Sequence, residues 1–363
     1  MDKTENQADR LAEKLEEILR AVPVFTEIKV AHEPMSRGPV HPDLIFDITH
    51  RDHLQYQLVV EFKTQGHPRM LREATSKLLL YLHRDPKGPN RIAEPVVAAP
   101  YISEEGAAVC RELNVSYCDI AGNCRLKFGN VYIERTGMIN KTPRKTLNPD
   151  LYAPKSERVL RVLLRAPYHP WKVAPLAEEA DVSLGTVSTI RTGLLNREWA
   201  KETGDGIMLT RADKILQEWA AVWGRRRYKE HRFLALTDIS TTEKRLAEAA
   251  GKFPEQHFAL TGLSAAWQQA PWVNHDHILA YWTGDAEALA QAAKLKETDG
   301  AANVHLIVPR DAGVFTDLNG LAAIPTVSSI QTYLDLTREP GRGSDAAEFL
   351  WNTVLFPGNA TKH

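Results

Sequence analysis

Pro42-Asp43-Leu44-Ile45-Phe46-Asp47-Ile48 and, ten residues further on, Leu58-Val59-Val60-Glu61-Phe62-Lys63 decide how the first third of the chain reads. Each is a short apolar run bounded by polar residues, which is the pattern of a strand. Side chains alternate across a strand, so Val59, Glu61 and Lys63 share one face and the carboxylate and ammonium are neighbours. With Asp43 opening the strand before them, they form a surface able to hold a divalent metal. Magnesium takes hard oxygen ligands and keeps several of its waters, so Asp43 and Glu61 suffice to hold it against a phosphate. A metal there acidifies its water, and Lys63 would orient that water or offset charge on the phosphate. The chemistry implied is phosphodiester hydrolysis.

Glu-x-Lys on its own is common; Glu27-Ile28-Lys29 fits it too. Context separates the two. Glu61 follows the strand that opens with Asp43, after a turn at Arg51-Asp52-His53, and precedes a helix-patterned run over 68–84. Around these, Leu11, Leu15, Ile18 and Leu19 predict a first helix over 9–20, followed by a strand over 25–30. Beyond the second helix, strands are expected at 95–100, 115–120 and 125–133, with a helix at 103–113.

The Pro-Asp, the Glu-x-Lys and the order helix, three strands, helix, strand resemble the PD-(D/E)XK, or restriction-endonuclease-like, superfamily over roughly residues 1–135. The resemblance implies an α/β/α fold, with Asp43 and Glu61 as metal ligands, magnesium as cofactor and Lys63 as the catalytic lysine. It also implies Gln65 as a supporting polar group and Glu16 or Glu17 as the source of a further carboxylate. Without the resemblance, Asp43, Glu61 and Lys63 also read as solvated strand-end charges, or as remnants of a nuclease fold kept for binding alone.

At 363 residues the chain has room for two or three domains, each with its own core. A net charge of −1 excludes a chain that is basic throughout, so nucleic-acid contacts would come from local patches. The three cysteines, Cys110, Cys118 and Cys124, form no Cys-x-x-Cys and leave an odd thiol, which points to a reducing cytoplasm. A polar amino terminus and the lack of any twenty-residue apolar run predict a cytosolic protein without a membrane span. No phosphate-loop or dinucleotide fingerprint is present.

Residues 140–154, rich in Pro, Asn, Lys and Arg, read as a linker. After it, 155–232 reads as a winged helix-turn-helix. Val159, Leu160, Leu163 and Leu164 mark a first helix, and 173–180 forms the second. Asp181-Val182-Ser183 makes the turn, with Ser183 as cap, and 184–196 is the third helix, burying Val187, Ile190 and Leu194. Ser183, Thr186, Ser188, Thr189, Arg191 and Thr192 are the expected DNA-facing residues, because short hydroxyl side chains and an arginine let a helix lie close in a major groove. The segment 199–209, turning at Gly204-Asp205-Gly206, supplies the wing. Such a module also serves protein contacts. Over 155–232 there are fifteen Lys plus Arg against ten Asp plus Glu, and Arg225, Arg226 and Arg227 make the candidate phosphate patch or, alternatively, a solvated helix end.

The last third, 233–363, is expected to be a separate α/β domain, making the whole chain a multidomain α/β protein. Its run Ala259-Leu260-Thr261-Gly262-Leu263-Ser264-Ala265-Ala266, with the winged helix before it, resembles the AbiEi-type antitoxin family of type IV toxin-antitoxin systems over roughly 156–360. That resemblance implies a regulator binding double-stranded DNA, with a cognate toxin or defence-system protein as partner. A homodimer is also among the expectations. Members of that family usually begin with the winged helix, whereas a nuclease-like region precedes it here. His275-Asp276-His277 reads as an exposed loop rather than a metal site, and Thr261-Gly262 as a close-packing turn or an anion-binding helix start. Two functions follow: a DNA-binding regulator, or a magnesium-dependent nuclease brought to DNA by the winged helix.

Overall fold

Leu11, Leu15, Ile18 and Leu19 line one stripe of the first helix, and all four are completely buried beneath α1 (Lys3–Arg20). The computed structural model describes residues 3–32, 41–84, 91–139, 151–272, 274–298, 300–319, 324–339 and 341–357. Most of the expected linker, 140–150, lies outside them. The chain divides into two compact units, residues 1–148 with 195–198, and residues 149–194 with 199–363.

In the first unit α1 is followed by β1 (Phe25–His32), β2 (Leu44–His50) and β3 (Gln55–Phe62), then α2 (Pro68–Arg84), β4 (Arg91–Ala99) and α3 (Glu104–Glu112). Three strands close it: β5 (Ser116–Asp119), β6 (Cys124–Phe128) and β7 (Val131–Arg135). All seven strands lie in one sheet in chain order. β3 runs parallel to β4 and β4 to β5, while the other neighbours are antiparallel. A parallel pair needs a crossover, and α2 and α3 provide the two. Strand alternation sorts the core: Leu58 and Val60 pack under α1 on one face, and Val59 and Val97 under α2 and α3 on the other. The expected α/β/α architecture and its element order are borne out.

The second unit opens with α4 (Pro154–Arg165), α5 (Val173–Glu179), α6 (Leu184–Asn196), β8 (Ala200–Thr203) and β9 (Gly206–Leu209), a winged helix-turn-helix. Trp171 makes an isolated bridge to the wing through paired backbone bonds with Ile207 of 2.8 and 2.9 Å. That approach requires a glycine at 206, where φ is 134° and a Cβ would lie 2.2 Å from the Trp171 carbonyl oxygen. After α7 (Ala212–Trp223) come β10 (Lys229–Leu234), α8 (Ile239–Ala250), β11 (Phe258–Thr261), α9 (Gly262–Gln269), β12 (Ile278–Trp282) and α10 (Ala286–Ala292). The unit ends with β13 (Lys296–Glu297), β14 (Val304–Val308), α11 (Ser329–Leu336) and α12 (Arg342–Leu350). These strands form a mixed sheet in the order β11-β12-β14-β10-β13. The boundary expected at 232/233 falls inside β10.

Buried polar groups join the winged helix to this sheet. Asp335 on α11 is 1 % exposed and accepts from Thr261 Oγ1 at 2.6 Å, Trp223 Nε1 at 2.8 Å, Tyr281 OH at 2.9 Å and Gln331 Nε2 at 3.0 Å. Burial pushes the Asp335 carboxyl above its ordinary value, and these four donors oppose that shift. On α4, Arg161 is buried over the Trp219 ring at 4.8 Å and donates to Gln331 Oε1 and, at 3.3 Å, to the Glu157 carbonyl. Glu157 accepts from Trp219 Nε1 at 3.1 Å and pairs with Arg226. A buried charged acceptor that loses a donor keeps its desolvation cost. Trp223→Phe is therefore expected to lower stability by about 2 kcal/mol, read as a shift of the urea midpoint.

Candidate carboxylate site and nucleic-acid interface

The β2–β3 register pairs Leu44 with Val60 at the end of the ladder, and Asp43 immediately precedes it. Asp43 is fixed by its backbone N–H to the Val60 carbonyl at 3.0 Å and by its Oδ2, which accepts from Phe62 N at 2.6 Å. Glu61 is 3 % exposed and faces α2. Lys63 Nζ lies 3.4 Å from Glu61 Oε1 and 3.1 Å from Glu73 Oε1, while Lys77 Nζ lies 2.7 Å from Glu61 Oε2. Desolvation holds the Glu61 carboxyl above its usual range, with Lys77 opposing and the Asp43 charge adding to it. Burial alone would lower the Lys63 ammonium, but Glu73 and Glu61 outweigh it and hold it above its ordinary value.

Lys63 thus joins Glu61, with the Asp43 charge acting on the same carboxyl. Gln65 lies half-buried in the turn after β3. Glu16 and Glu17 do not join them: they pair with Arg20 and Lys14, on a helix covering the opposite face of the sheet. Among the described residues no group of three or more His, Cys, Asp or Glu side chains is placed to hold a metal. Two carboxylates are nonetheless within what magnesium requires of a protein. Glu61 Oε2 is buried, and the cation it faces is the Lys77 ammonium at 2.7 Å. Lys77 and Glu73 were hidden in the sequence, where their spacing of four suggests only a pair along one helix face.

In the winged helix, Val187, Ile190 and Leu194 are buried, and Ser183, Ser188, Thr189 and Thr192 are exposed. Ser183 caps α6, accepting from Thr186 N at 3.2 Å, and Thr186 is half-buried beside it. The Thr192 hydroxyl donates to the Ser188 carbonyl at 3.0 Å, so it lies along the helix. Arg191 pairs across to Glu202 on the wing. Of the three successive arginines, Arg225 and Arg227 are exposed. Arg226 instead turns inward to Glu157, donates to the Tyr152 carbonyl at 2.5 Å and stacks on Trp223 at 4.6 Å.

The Thr261-Gly262 turn holds an anion supplied by the chain itself. Gly262 has φ 57°, a Cβ there would lie 2.1 Å from Glu339 Oε1, and that oxygen accepts from Leu263 N at 3.3 Å at the start of α9. His277 bridges Glu339 Oε2 at 3.0 Å and Asp276 Oδ1 at 2.9 Å. His275 departs from the expected exposed loop: its side chain is buried against Glu243 at 3.0 Å, and only Asp276 of the three is exposed.

Residues 208–355 match the model of a family described as transcriptional regulator, AbiEi antitoxin, type IV TA system. This bears out the resemblance expected for the carboxyl-terminal part. No curated protein matches the chain. Among solved structures it is similar to a repair endonuclease from Pyrococcus abyssi at 11% identity and a TM-score of 0.24, covering 33% of this chain and 47% of that one. It is also similar to the protein of an EndoMS complex with double-stranded DNA, at 13% identity and a TM-score of 0.21, covering 30% and 43%. The chain spans less than half the length of either. Among the described residues no helix is long and apolar enough to cross a membrane.

The His277 bridge has a pH signature. Glu339 first, and then Asp276, raise the imidazole to about 9 against the pull of burial. A histidine raised on folding stabilises fully below its unfolded value of about 6.5, and the contribution fades as pH rises through the folded value. The wild type is expected to lose on the order of 2 kcal/mol between those limits relative to His277→Ala, read from urea unfolding at successive pH values.

Proposed function

We propose that the chain is a DNA-binding regulator of the AbiEi antitoxin-like type, contacting duplex DNA through α6 and the wing. The observation that carries this reading is the exposed face of α6, where Ser183, Ser188, Thr189 and Thr192 stand free of the core. Their small side chains suit close approach to base edges, and Arg191 flanks them. The match of residues 208–355 to a transcriptional-regulator model supports it. Arg225 and Arg227 supply candidate phosphate contacts, whereas Arg226 serves the internal pair with Glu157. A cognate toxin is the protein partner that this reading implies.

Arg191 is held by Glu202, so reaching a base means breaking an ion pair. Arg191→Ala is expected to weaken binding by about 1–3 kcal/mol, and Glu202→Gln to tighten it by releasing the arginine and removing a negative charge. Fluorescence anisotropy on a duplex selected from a random library measures both. Undiminished affinity of Arg191→Ala at low salt overturns the assignment of α6 as the recognition helix.

A second reading, a magnesium-dependent nuclease targeted by the winged helix, is favoured by Lys63 lying 3.4 Å from the buried Glu61 and by the Asp43 charge acting on the same carboxyl. Asp43 and Glu61 would hold the ion, which when bound supplies charge against a phosphate and an acidified water. Lys63 would carry positive charge toward the scissile phosphate and orient the attacking water. Glu61→Ala and Lys63→Ala should abolish magnesium-dependent cleavage while leaving DNA binding intact. If the wild type cleaves neither duplex, single-stranded DNA nor RNA, the second reading fails and the regulator stands.

A further inference from the structure

The Asp43 charge acts against the charged form of the Glu61 carboxyl. Glu61 is buried as well, so its charge needs a counter-cation close at hand. The chain provides it from α2. Leu71, Ala74, Leu78 and Tyr81 turn into the core, leaving Glu73 and Lys77, four residues apart, along the edge of that buried stripe. The result is a row of alternating charges, Glu73, Lys63, Glu61 and Lys77, linked at 3.1, 3.4 and 2.7 Å. Lys77 is the cation that faces the buried Glu61 Oε2. The contact is a close ion pair at 2.7 Å, and the Lys77 side chain remains 35% exposed against 4% for Glu61. A flexible stem with an open path to water lets the ammonium withdraw without disturbing the core.

We propose that Lys77 is a positioning residue that holds the cation place at Glu61 Oε2 and yields it to a divalent ion, so that metal binding at Asp43 and Glu61 is an exchange against the chain's own ammonium. The inference rests on the metal-site reading above and goes beyond it in naming the residue that sets the affinity. Lys63 stays in place through the exchange, because it is held from the other side by Glu73.

The test uses the full chain and manganese as a paramagnetic stand-in for magnesium, with bound ion measured by loss of the free-ion electron paramagnetic resonance signal. Lys77→Met is expected to bind manganese at least tenfold more tightly than wild type, and adding Glu61→Gln should abolish that gain. Equal affinity in wild type and Lys77→Met overturns the exchange while leaving the carboxylate site standing. No binding by either overturns both readings. A measurement on the wild type covers the case in which the variant does not fold: saturating magnesium should raise acetylation of Lys77 by acetic anhydride severalfold, read by peptide mass spectrometry. Unchanged acetylation of Lys77 overturns the exchange.

Discussion

Asp335 is the group on which the second unit depends. A carboxylate with almost no access to water survives only where donors surround it, and here they come from α7, β11, β12 and α11 itself. Each donor fixes the rotamer of a large or buried side chain, so the positions of Trp223, Tyr281 and Gln331 are settled together. Arg161 carries the same constraint into α4 through Gln331, and Glu157 carries it on to Trp219 and Arg226. Apolar packing alone tolerates sliding; a buried ionic network has one arrangement that satisfies its members.

Much of the fold was legible because local rules and global packing agree. The helix over 68–84 follows from its apolar pattern, and the turn, cap and wing of the winged helix arrive in order. The first unit was readable through the alternation that puts Val59 and Glu61 on one face. β10 was not legible: Lys229, Glu230, His231 and Arg232 look like a continuing basic cluster, and their strand character comes from pairing with β14, a partner more than sixty residues away. The same limit applies to the candidate site. Asp43, Glu61 and Lys63 follow from strand spacing, but Lys77 reaches Glu61 only because α2 crosses over β3, which sequence distance hides. Arg226 is the converse case. It belongs to a basic triplet on paper, yet the aromatic face of Trp223 and the carboxylate of Glu157 draw it inward.

The two candidate functions place opposite demands on charge. A recognition helix works with an arginine available to a base, whereas Arg191 is paired with Glu202. A hydrolytic site works with carboxylates available to a cation, whereas Glu61 is paired with lysines. In both places the chain's own charges satisfy one another, which avoids an uncompensated group. Glu339 at the start of α9 is a third instance, an internal anion lying where an external one would otherwise be drawn.

The wing, too, is more than a decoration on the third helix. Trp171 is tied to Ile207 by two backbone bonds, an isolated bridge between the segment before α5 and the hairpin. A hairpin of four-residue strands would otherwise flex on its own stem. The bridge ties the turn end of the hairpin to the segment before α5, so the two move together.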